Sequence, residues 1–146
     1  MREAALTALK TQLQNITEDN GYPVTVKAVR REYLDMKDIP ATQIPLLVIE
    51  DDGEEEILYK TGDFADVLFQ VNIRGYVNSI DGLSTPLNVL DVAAKKAIGQ
   101  DLTLGGNAFS VTILPYTDRS GNETTPFAFF VRPIRITYEG RITQGM

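Results

Sequence analysis

The chain has 146 residues, 43% of them hydrophobic and 23% charged, with no cysteine and no histidine. That length suits one domain with a sizeable core, while the two missing residue types exclude disulfides and thiol chemistry and remove the commonest general base and metal ligand. A formal net charge of −6 argues against phosphate-backbone binding, which draws on clustered Lys and Arg.

The first predicted element is an amphipathic helix over Arg2–Ile16, with Leu6, Leu9, Leu13 and Ile16 on one face and Thr7, Lys10 and Gln14 outside. Asn20-Gly21 ends it. No signal-peptide pattern precedes it, so an intracellular protein is expected and the triplets Asn15-Ile16-Thr17 and Asn122-Glu123-Thr124 read as chance glycosylation matches. A strand follows over Val24–Arg31. A charged loop with Glu32, Asp35, Lys37 and Asp38 then leads to Pro40 and Pro45, which bar a helix.

Leu46–Glu50 is a predicted strand, and Ile57–Lys60 its expected hairpin partner across Asp51-Asp52-Gly53-Glu54, since Asp-Gly between apolar runs favours a hairpin turn. The longest predicted strand is Phe64–Asn78. Val67, Phe69, Val71, Ile73 and Val77 alternate with Asp66, Gln70, Asn72 and Arg74. At about 3.3 Å per residue it spans roughly 50 Å, long enough to reach beyond its own core. A second helix is expected after a short turn, with Thr85 as N-cap, Pro86 at its first position, Leu87, Leu90, Ala94, Ala97 and Ile98 inward, and Gly99 as the stop.

Two closing strands, Phe109–Tyr116 and Phe127–Tyr138, flank a polar loop over Thr117–Thr125. In the last strand the apolar parity switches from Phe127, Phe129 and Val131 to Ile134, Ile136 and Tyr138. Pro133 stands at the switch, which predicts a bulge or an edge position. The resulting fold class is α+β: one domain over residues 1–146, a mainly antiparallel sheet with two helices on one face, in the order α-β-β-β-β-α-β-β.

The charge is concentrated. Residues 50–67 hold eight acids and Lys60 alone, a local −7 that exceeds the whole net charge. Oxygen donors in Glu50–Glu56 invite a calcium site, but the spacing fails the EF-hand pattern, and a solvated hairpin tip is the plainer expectation. Gly99 and Gly105-Gly106 lack the lysine and the strand-to-helix setting of a phosphate loop. No pair of carboxylates is marked out for acid–base work, so a non-enzyme with no cofactor and no metal is expected. Arg132 and Arg135, alternating with apolar residues, offer forked contacts to acidic groups of a partner or are plain surface residues.

The helix Arg2-Glu3-Ala4-Ala5-Leu6-Thr7-Ala8-Leu9, the stretch Val26–Tyr33, the proline-led strand Ile44–Glu50 with its acidic turn, and the long strand Val67–Val77 before the helix Leu87–Ile98 follow one another in a telling order. In that order the chain resembles the tail terminator (tail completion, head-tail joining) proteins of long-tailed bacteriophages. The resemblance implies a virion protein made in the host cytoplasm, a six-membered homo-oligomeric ring on the head-proximal end of the tail tube. There it would end tail polymerisation, meet the tail tube protein and a head-completion or neck protein, and let DNA pass without specific binding or any membrane contact. A head-closure or neck connector shares parts of the pattern, and a small-ligand or metal-binding α+β domain is the alternative of another class. Contact residues are expected in the loops, the last strand and the tail, namely Tyr33, Asp35, Asp51, Asp52, Glu54, Glu55, Asp118, Arg119, Arg132, Arg135 and Arg141.

Overall fold

Helix α1 (Arg2–Gln14) turns Ala5, Leu6, Leu9 and Leu13 inward, each essentially without solvent exposure. A computed structural model describes residues 2–32, 35–78, 84–120 and 127–145. After α1 a short turn follows in which the Thr17 side chain accepts from the Asn20 amide, and Gly21 closes it in the left-handed conformation. Strand β1 is only Ala28–Arg30 and runs parallel to the start of β2. It is shorter than the Val24–Arg31 strand expected.

Three long strands make the frame: β2 (Leu46–Tyr59), β3 (Phe64–Asn78) and β6 (Phe127–Arg141). β3 pairs with β6 along its whole length without a slip, from Phe64 opposite Arg141 to Asn78 opposite Phe127. Helix α2 (Ser84–Gly99) follows β3, then β4 (Ser110–Ile113) and β5 (Asp118–Ser120), both laid along the outer side of β6. The sheet order is β1-β2-β3-β6-β4, with β5 also on β6. All pairings but β1–β2 are antiparallel.

Both helices pack on one face. Leu6, Leu9, Leu13, Leu90, Ala94 and Ile98 share one core with Ile49, Val67, Phe69, Val71, Ile73, Phe130, Ile134 and Tyr138. The Gln12 amide ties the helices together, donating to the carbonyls of Ala97 and Asp101, both at 3.2 Å, at the C-terminal end of α2, where helix carbonyls lack internal partners. Part of the other face carries a second, smaller core of Ile39, Ile44, Leu46, Val48, Tyr76 and Phe127.

Four expectations are corrected. Residues 46–50 and 57–59 are not two arms of a hairpin but one strand, β2, against the same neighbour β3; a bulge takes up the extra residues between Asp51 and Glu55, with Gly53 at φ +81°. With the two arms merged and β5 added after α2, the order is α-β-β-β-α-β-β-β. The parity switch in β6 is no bulge, because Phe127 packs in the second core while Ile134, Ile136 and Tyr138 face the helices. The polar loop after Tyr116 opens with β5, and Phe109 precedes β4. Helix α2 begins at Ser84, so Thr85 is a helical residue rather than the N-cap. The turn between β3 and α2 lies outside the described residues.

Candidate interaction surface

On β2, the residues Leu47, Ile49, Asp51, Glu55 and Ile57 share the helix-facing parity of their β3 partners Gly75, Ile73, Val71, Phe69 and Val67. The bulge inserts two residues, so parity is preserved across it. This turns Asp51 and Glu55 toward α1, where Arg2 takes both: Nε reaches Asp51 Oδ2 at 3.1 Å and Nη1 reaches Glu55 Oε2 at 3.0 Å. The Arg2 guanidinium also lies 4.2 Å above the centre of the Phe69 ring, a cation–π contact. Burial pushes the Asp51 carboxyl up, but the Arg2 fork, the Gly53 amide and the nearby cations outweigh it and hold it below the usual carboxylate range. The expected solvated tip therefore gives Asp51 and Glu55 to a partly exposed ion cluster with the first turn of α1. The side chains of Asp52 and Glu54 lie outside the described residues.

Arg132 also points inward. Its Nε and Nη2 fork the Asp91 carboxylate of α2 at 3.2 and 3.0 Å, and its guanidinium lies 3.7 Å from the centre of the Tyr116 ring. Asp91 is 4% exposed, the one buried charged side chain among the described residues. Sequence reasoning offered Arg132 as a partner contact or a plain surface residue; the structure sets it under α2.

The remaining predicted contacts are spread over the molecule. Arg135 is exposed on β6 and makes no ion pair with a described residue. Arg141 ends β6 and stacks over Phe64 at 4.8 Å. Asp35 is exposed beside the turn over Met36–Asp38, Asp118 opens β5, and Arg119 is in β5 with its side chain outside the described residues. Tyr33 lies outside the described residues altogether. The structure thus joins Asp51 to Glu55 through Arg2 and does not gather the described ones into one site.

A bare polar face does emerge. The even residues of β3 and odd residues of β6 turn away from the helices, and beyond the second core and the buried Val131 and Pro133 beside it they are at least partly exposed. Glu50 pairs with Arg74, and Lys60 bridges Asp66 at 2.9 Å and Glu139 at 3.1 Å. The hydrogen bonds that Lys60 donates to those two carboxylates hold its pKa above the ordinary value. Beside the bulge, Glu56, Leu68, Gln70 and Arg135 rim a shallow depression of about 230 Å³. Elsewhere, Asn15, Asn20, Tyr22, Lys96 and Gln100 line an open hollow near the ends of the helices.

Among the described residues no cluster of carboxylates can hold a metal ion, and no helix is long and apolar enough to cross a membrane. No protein-family model matches the chain, and no curated protein is significantly similar to it in sequence.

Two residues of these clusters were missed by sequence reasoning, although both left a signal. Asp91 falls in the apolar stripe of α2 between Leu90 and Ala94, a place where a carboxylate needs a buried partner. Arg2 sits in the first turn of a helix, where the macrodipole disfavours a cation unless acids lie close by.

Proposed function

We propose that this chain is a structural rather than catalytic protein, a ring-forming tail terminator of a long-tailed bacteriophage whose interfaces are its function. The observation that carries the reading is the asymmetry of the long-stranded sheet: helices cover one face, and a polar, charge-balanced face is left bare beyond the second core. The charged residues of the bare half include Glu56, Asp66 and Glu139 with Lys60, Arg135 and Arg141, equal numbers of each sign. Such a wall suits a bore through which DNA moves, because it offers phosphates no run of free cations to bind. The order of elements that carries the family resemblance supports the same reading.

Light scattering across concentration, with negative-stain imaging of the same sample, tests it. The expected species is a ring near six times the 16.2 kDa chain, either free or on the ends of purified tail tubes, where it stops further growth. A chain that stays monomeric and leaves tube growth unchanged overturns the proposal.

A further inference from the structure

We propose that residues 55–59 of β2 pair, antiparallel, with β4 (Ser110–Ile113) of a second copy of this chain, in a register that sets Ile57 opposite Val111. The inference rests on the assembly reading above and names the contact that would build it.

Both strands have a side without a described neighbour. β1 covers β2 only at Leu46, Leu47 and Val48, and β4 pairs only with β6. A strand edge presents a row of N–H and C=O groups ready to pair with another chain. Which residues turn theirs outward follows from alternation along an antiparallel ladder. Lys60 donates to the Phe64 carbonyl, so Leu58 and Glu56 turn their backbone groups toward β3, and Ile57 and Tyr59 turn theirs out. Leu114 donates to the Pro133 carbonyl, so Thr112 and Ser110 turn toward β6, and Val111 and Ile113 turn out. Odd residues therefore meet odd residues.

Side chains choose among the registers this permits. Tyr59 and Phe109 are 68% and 78% exposed, the two most exposed large hydrophobic residues among those described; Tyr59 has helix-side parity, while Phe109 precedes β4 and its amide already donates to the Thr137 carbonyl, so it flanks the contact without extending its ladder. Setting Tyr59 opposite Phe109 places Ile57 opposite Val111 and Glu55 opposite Ile113 on that face. On the other face it places Leu58 opposite Ser110 and Glu56 opposite Thr112. The apolar pair Ile57 and Val111 then lies directly across the contact, with the two exposed aromatic rings at its end. Arg135, one strand further in and beside Thr112, reaches over that small side chain toward Glu56, which likewise has no ion pair with a described residue.

Charge disfavours the symmetric alternative. Residues 50–56 carry six acids and no base, so two β2 edges would oppose like charges, whereas β4 carries no acid. Direction agrees as well. β2, β3, β6 and β4 alternate in sense, so β2 and β4 run oppositely. A copy placed alongside in the same orientation brings them together antiparallel with all helices on one side. The contact joins two different edges, which is what a ring or other head-to-tail assembly requires.

The chain has no cysteine, so introduced thiols are the only ones. In the self-associated protein, free or on tail tubes, the double variant Glu56→Cys/Thr112→Cys is expected to give a ladder of disulfide-linked multimers on mild oxidation. Each single variant should stay uncrosslinked, and Glu56→Cys/Ser110→Cys, one step off register with the side chains diagonal, should crosslink far less. Dimers from Glu56→Cys alone or from Thr112→Cys alone would overturn the inference in favour of a symmetric edge. Normal self-association without the ladder would overturn the edge assignment while leaving the assembly reading standing. Failure of the unmodified protein to associate in either setting would remove both.

Discussion

Arg132 donates to the carbonyl of Leu114 at 2.9 Å, supplying the hydrogen bond that its neighbour Pro133 cannot. Leu114 and Pro133 stand opposite each other, and the Leu114 amide reaches the Pro133 carbonyl at 3.0 Å. The return bond needs an amide hydrogen that proline lacks. A proline is tolerated inside β6 because the lost donor faces the gap between β4 and β5, and a guanidinium fills it. The same guanidinium forks Asp91, so one side chain serves the sheet, α2 and the Tyr116 ring.

Removing that side chain should be costly. Arg132→Met leaves the Asp91 carboxylate buried with Lys95, 3.3 Å away, as its remaining cation. Breaking a buried pair from one side costs about 3–5 kcal/mol, and urea denaturation at neutral pH should show a loss of that order. Arg132→Lys keeps the charge but not the fork and should recover only part of it. The double variant Asp91→Asn/Arg132→Met should be less damaged than Arg132→Met alone.

Acid should act through the same carboxylate. Burial pushes Asp91 up, but hydrogen bonds from Arg132 and Tyr116 and the charges of Arg132 and Lys95 outweigh it and hold the group below the ordinary carboxylate value. A depressed folded-state pKa contributes stability that is present above the unfolded value of about 3.9 and is lost as pH falls through the folded value. Asp91→Asn should therefore be less stable than the parent at pH 7, with the gap closing below about pH 4. A gap that stays constant down to pH 2 would show that the charge of Asp91 contributes nothing.

Gly75 marks a different constraint. Its Cα stands under the Phe130 ring so closely that a Cβ would overlap the ring carbons, and the two are direct cross-strand partners. Gly75→Ala should lose about 1–3 kcal/mol by overpacking. Phe130→Leu in the same chain should restore part of that loss, a coupling that a double-mutant cycle in urea would read.

The alternation of β3 was legible because each face has its own environment: Val67, Phe69, Val71 and Ile73 are buried under the helices. The leucine stripe of α1 was legible for the same reason. The turn at Asp51–Glu54 was not, because Asp-Gly serves a bulge as well as a hairpin, and only the long-range pairing of both flanks with β3 separates the two. Pro133 misled in a related way. A proline's meaning in a strand depends on which side its missing donor faces, and that is a property of the neighbouring strand. Of the eleven predicted contact residues, Asp51, Glu55 and Arg132 carry the densest interactions, yet each is turned toward a helix, and no local pattern records which face a charged residue will occupy at a bulge.

Arg2 binds the acidic bulge to the helix layer. Its fork to Asp51, its bond to Glu55 and its seat over Phe69 are half-exposed interactions, so water screens them and the loss in Arg2→Ala should be modest, about 1–2 kcal/mol. The location of the effect is the sharper test. Asp51 and Glu55 would then lose the cation they bind, with only the more distant charge of Arg31 left near Asp51, which should loosen the bulge ahead of the rest of the sheet. Amide hydrogen exchange should accelerate over residues 51–57 and in the first turn of α1, while β3 opposite β6 keeps its protection. Arg2→Lys should hold the charge but lose the fork and much of the ring contact, leaving exchange rates between those of the parent and Arg2→Ala. Uniform acceleration across the whole sheet would mean that Arg2 supports global stability alone and does not fix the bulge.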